Sequence, residues 1–131
     1  MAFWRHLRQV MKVTSKKWQE TIKNACLAAG NYRPYFDSVI CILADIQAKR
    51  DQVNKQYKKE GSEPVVEHTN TSGSTNYVKN PLLVLYNELN AAALSYWRDL
   101  GLTPAGLKKI DEKALKVQKK SSFADLLKPF E

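Results

Sequence analysis

The stretch Pro34–Glu60, PYFDSVICILADIQAKRDQVNKQYKKE, decides the fold. Within it Phe36, Val39, Leu43, Ile46, Arg50, Val53 and Tyr57 recur at alternating spacings of 3 and 4 residues. That is the period of a helix with one apolar seam, broken once by the charge of Arg50. Pro34 suits a first helical turn, where its missing N–H costs nothing. Gly61 follows the last periodic residue, where a left-handed cap favours a residue without Cβ. The pattern predicts a helix over 34–60, about 40 Å long at about 1.5 Å per residue.

Working outward, the same device returns downstream. Leu82, Tyr86, Leu89, Ala93, Tyr96 and Leu100 are spaced 4, 3, 4, 3 and 4, between Pro81 and Gly101. Asn80 is a good N-cap for this second helix, 81–100. Two such helices joined by a connection are expected to pack antiparallel at a shallow angle, as in a coiled coil. Between them, 61–79 includes the polar run Thr69–Asn76 and reads as a flexible loop. Val65–Val66 and Tyr77–Val78 can pair as a short hairpin about it.

Both long helices carry more apolar surface than one seam uses. Val39–Ala44 and Leu82–Leu85 are apolar all round, and Leu94 and Trp97 lie off the stripe. A helix hydrophobic on every side has to be covered on every side. Self-association is the expected consequence, through Phe36, Val39, Ile40, Leu43, Ile46, Val53, Leu82, Leu85, Leu89 and Trp97.

Toward the termini, two short helices are expected at 2–13 and 15–29, and one at 104–119, begun by Thr103 as N-cap and Pro104. Phe123, Leu126, Leu127 and Phe130 then form a small apolar face suited to docking. The expected organisation is 1–30 as basic helices, 31–101 as the hairpin, and 102–131 as a basic helix and tail. With 131 residues the chain is long enough for one core and too short for two. No apolar run approaches a membrane span, and Arg5, His6, Arg8 and Lys12 interrupt any signal-peptide pattern. Only Cys26 and Cys41 are present, so no disulfide framework is indicated. A cytosolic setting follows.

The formal charge is +8. Residues 1–30 hold six Lys or Arg against one acid, while 61–101 hold two against four. Clustered bases are an electrostatic footprint for a polyanion. Arg5, Arg8, Lys12, Lys16, Lys17 and Lys23 form the densest group, opposed only by Glu20. On the two-helix reading, Lys16 and Lys17 fall in a first turn, where an anion would offset the unfavourable helix dipole. The C-terminal set of Lys108, Lys109, Lys113, Lys116, Lys119 and Lys120 competes, diluted by Asp111 and Glu112.

Catalytic patterns are missing. There is no Gly-rich phosphate loop, and His6, His68, Cys26 and Cys41 lack metal-ligand spacing. The expectation is a binding protein without catalytic residues, metal, cofactor or small-molecule substrate.

Asn80-Pro81, a helix of about twenty residues, then Leu100-Gly101-Leu102-Thr103-Pro104-Ala105 closely resembles the C-terminal signature of the phage terminase small subunits. The helix from Tyr35-Phe36-Asp37 to Lys59-Glu60-Gly61 is similar to that family's central helix, and the polar stretch around Gly73 sits at its variable loop. The resemblance covers roughly 16–115; Leu107 stands where the family usually has an Arg. It implies a helical subunit assembling into a ring-like homo-oligomer, which accords with the all-α fold read from the residues, a long antiparallel hairpin with short terminal helices. It further implies binding of double-stranded viral DNA in the infected or lysogenic bacterial host. The DNA would be delivered for procapsid packaging to a separate large subunit holding the ATPase and nuclease. Two other classes fit the residues alone: a helix-turn-helix regulator using 2–13 and 15–29, and a coiled-coil scaffold indifferent to DNA.

Overall fold

A computed structural model describes residues 2–112. The elements are α1 (Ala2–Ala28), a 3-10 turn (Pro34–Phe36), α2 (Asp37–Lys59), β1 (Val65–Thr69), β2 (Thr75–Lys79) and α3 (Pro81–Asp99), followed by a helical segment over 104–112. Of the expected 104–119 helix, residues 113–119 lie outside the described residues, as do Lys113, Lys116, Lys119, Lys120, Phe123, Leu126, Leu127 and Phe130.

α2 is the central element, with α1 and α3 both packed along it. Both run antiparallel to α2. Ser15 meets Asp45 and Gln19 meets Cys41 on the α1 side, while Arg50 approaches Asn90 on the α3 side. The common core is Ile22 and Cys26 of α1, Ile40, Leu43 and Ala44 of α2, Ala93 of α3, and Leu100. Trp18, Phe36, Val39, Ile46, Tyr96 and Trp97 close over it. Burial pushes the Cys26 thiol up, so it packs as a neutral, apolar side chain.

The fold differs from the all-α hairpin expected from the sequence in three ways. First, residues 2–28 form one helix, not two. The boundary expected at Thr14–Ser15 has no Gly or Pro to break it. Thr14 Oγ1 donates to the Val10 carbonyl at 2.9 Å instead of capping a new helix, and Ser15 is buried, donating to Asp45 at 2.5 Å. A helix-turn-helix across 2–29 is therefore ruled out. Second, three helices share the core, so the fold is not a two-helix hairpin. Ile40 and Leu43, expected to face another copy, are covered by the chain's own helices, at 3% and 0% exposure. No ring is shown. Third, the chain between α2 and α3 is a two-stranded antiparallel sheet, with Val66 opposite Val78 and Thr69 opposite Thr75. Its turn is closed by Asn70 N–H donating to Ser74 and Gly73 N–H donating to Asn70.

The charge that interrupts the α2 seam has a structural use. The Arg50 guanidinium lies over the Trp18 ring at 5.8 Å and pairs with Asp51 at 3.0 Å. Asp51 also accepts from Trp18 Nε1 at 2.7 Å. A polar tie thus joins α1 to α2 where a seam residue would otherwise be apolar.

The signature residues are helix ends. Asn80 is buried; its Oδ1 accepts from the Leu82 N–H at 3.0 Å, and its Nδ2 donates to the Glu63 carbonyl at 2.9 Å. One side chain therefore caps α3 and holds the base of the strand pair. At the other end, Thr103 Oγ1 accepts from the Gly106 N–H at 3.1 Å. Gly106 lies so close to the Arg98 carbonyl that a Cβ there would clash with backbone. Gly101 turns the chain at φ 72°, with Asn31 and Ile110 against it.

Candidate nucleic-acid interface

A single α1 changes the geometry of the basic group. At about 100° per residue, Arg5, Arg8, Lys12, Lys16 and Lys23 fall within roughly 80° of arc on one face. The stripe runs about 27 Å from Arg5 to Lys23. Lys17 lies roughly 100–180° away from each of them, on another face. All six side chains are exposed. None has a carboxylate within ion-pair distance among the described residues, where Arg50–Asp51 is the ion pair found. Lys16 and Lys17 lie in mid-helix, not in the first turn expected from the sequence, and meet no free N–H groups.

Tertiary packing extends the stripe with a residue the sequence reading missed. Lys49 of α2 lines the same cleft as Lys12 and Lys16. Its signal was hidden because it lies far along the chain from them and next to Arg50, which turns inward to Trp18. Asp45 enters the same cleft, where it is engaged by Ser15. Near the far end, Lys23 Nζ lies 5.1 Å from the Tyr32 ring centroid, and Tyr32 donates to Asp37 at 2.7 Å. Asp37 and Glu20 line one cleft with Lys16 and Lys23, so acidic side chains accompany that end of the stripe.

Of the competing C-terminal set, Lys108 and Lys109 are described and exposed, with Asp111 and Glu112 close behind on the same segment. The residues expected at a self-association surface divide. Ile40 and Leu43 are in the core; Phe36, Val39, Ile46, Val53, Leu82, Leu89 and Trp97 are half-buried; Leu85 is exposed. Ile42, Val84 and Leu94 are also exposed.

Among the described residues no three His, Cys, Asp or Glu side chains converge to hold a metal, and no helix is long and apolar enough to cross a membrane. No curated protein and no solved structure matches the chain. A family model described as phage terminase, small subunit, matches residues 14–116, from the middle of α1 past the segment 104–112. That span takes in the central helix, the strand pair, α3 and both signature caps, and on it the chain belongs to the phage terminase small-subunit family.

Proposed function

We propose that this chain binds double-stranded phage DNA along the α1 stripe and delivers it to the large terminase subunit. That partner is a separate chain carrying the ATPase and nuclease, acting in the cytoplasm of the host. Family membership supports a role in phage DNA packaging. DNA contact along α1 is supported by the alignment of Arg5, Arg8, Lys12, Lys16 and Lys23 on one exposed helix face, with Lys49 beside it. A cationic row about 27 Å long spans just under one turn of B-DNA, enough to meet several phosphates along a groove edge. Such contacts give affinity through counterion release and carry no sequence information by themselves. Lys17 adds to the long-range field without joining the contact.

The test is a titration of duplex DNA against salt. Replacing Arg5, Arg8, Lys12 and Lys16 together by Gln is expected to flatten the log–log slope by up to about 3.6, at roughly 0.9 per lost phosphate contact. Neutralising Lys108 and Lys109 is expected to leave the slope unchanged. The reverse result would move the contact to the C-terminal set.

We also propose that copies of the chain associate through the apolar positions that remain exposed on α2 and α3, Ile42, Leu85 and Leu94 foremost. Leu85→Asp is expected to lower the mass seen by light scattering while the helix signal persists. A wild-type monomer at micromolar concentration would remove this part.

A further inference from the structure

α1 crosses α2 with two flanks open to solvent, and only one carries the stripe. On the opposite flank Phe3, Leu7 and Val10 of α1 form the wall of a groove of about 300 Å³. Phe3 is 68% exposed and Val10 41%, so the chain itself leaves this wall uncovered. The facing wall is polar and basic, with Lys55 and Lys59 one turn apart on α2 and His6 at the rim. The carboxylate lining the groove, Asp51, is already engaged by Trp18 and Arg50. Three apolar residues of this wall also precede residue 14, where the match to the family model begins.

We infer that this groove is a docking site for an acidic amphipathic helix of a partner protein. The inference stands independently of the DNA reading. Apolar anchors on such a helix would cover Phe3, Leu7 and Val10, at spacings of 4 and 3 that match a facing helix. Its flanking carboxylates would meet Lys55 and Lys59. A second copy's α1 is a poor occupant, because it carries six bases against one acid and would meet Lys55 and Lys59 with like charge. Duplex DNA offers phosphates for the lysines and little apolar surface for Phe3 and Val10. A bilayer surface fits a convex apolar face, whereas Leu7 is half-buried in a cleft between two helices. With DNA on one flank and an acidic helix on the other, α1 would be a two-sided adaptor.

The probe is a synthetic helical peptide of about two to three heptads, with Leu at 3 and 4 spacing and Glu on both sides. Its controls exchange Glu for Lys, or Leu for Ala; vesicles of anionic and neutral phosphatidyl lipids form a third arm. Binding is followed by anisotropy of the labelled peptide and by amide shifts across α1 and α2. The acidic Leu peptide alone is expected to bind, moving amides of residues 3–14 and 48–59. Phe3→Ala is expected to weaken it about tenfold, and Lys55→Glu with Lys59→Glu by at least about as much. Arg5→Gln with Arg8→Gln, on the other flank, is expected to leave binding within about twofold. All these side chains are exposed or lie at the groove rim, so folding of each variant is verified by its helix signal. The proposal is overturned if the flank variants weaken binding equally, if anionic vesicles bind as well as the peptide, or if rising protein concentration alone protects the groove.

Discussion

Ala2–Thr14 and Ser15–Ala28 are two halves of one helix with opposite relations to the rest of the molecule. The second half buries Ser15, Ile22 and Cys26 against α2. The first half buries nothing fully and leaves Phe3, Trp4 and Val10 open to solvent. Both halves carry bases on the same face, so charge runs through while packing stops. A helix whose first half makes so few contacts gains little stability from it. The difference separates what folds the chain from what the chain offers to partners: stability resides from Ser15 onward, the apolar wall lies before it, and the cations run through both halves.

Denaturation separates the two halves by the largest effect. Leu43 lies at the meeting point of α1 and α2 with no exposure, so Leu43→Ala is expected to cost about 2–5 kcal/mol in chemical denaturation. A cost near zero would mean the core lies elsewhere. Asn80→Ala removes a cap and leaves the Glu63 carbonyl without its donor, for an expected loss of about 1–2 kcal/mol. Amide exchange would show that loss concentrated in the strand pair and the first turn of α3. Phe3→Ala is expected to change stability by less than about 0.5 kcal/mol, since the side chain is open on most sides. A cost comparable to Leu43→Ala would erase the distinction between the halves.

The same division explains what was legible in the sequence. Seam residues from Phe36 to Tyr57 are readable because burial imposes a period, and all seven are buried or half-buried in the structure. Asn80, Pro81, Thr103 and Pro104 are readable because caps need particular chemistry at fixed positions. The continuity of α1 was not readable. Thr14 and Ser15 favour caps in isolation, and their hydroxyls were claimed instead by the Val10 carbonyl and by Asp45, a tertiary partner thirty residues away. The strand pair was half visible: Val65–Val66 and Tyr77–Val78 signalled it, but the polar run between them hid its extension to Thr69 and Thr75. In the candidate interface, the residue types were evident and their alignment was not. The five cations share a face only when the helix does not break, and Lys49 joins them only through packing.

On the proposed reading, DNA meets one face of α1 and does not simply respond to net charge. Lys16 and Lys17 test it most directly, because they are neighbours in sequence, both exposed, and on different faces of the helix. Lys16→Gln and Lys17→Gln remove the same charge from the same turn. Duplex affinity measured over a range of salt is expected to show the log–log slope flattened by about 0.9 for Lys16→Gln and unchanged for Lys17→Gln. Equal slopes for the two variants, or the larger change from Lys17→Gln, would mean that DNA does not meet this face of α1.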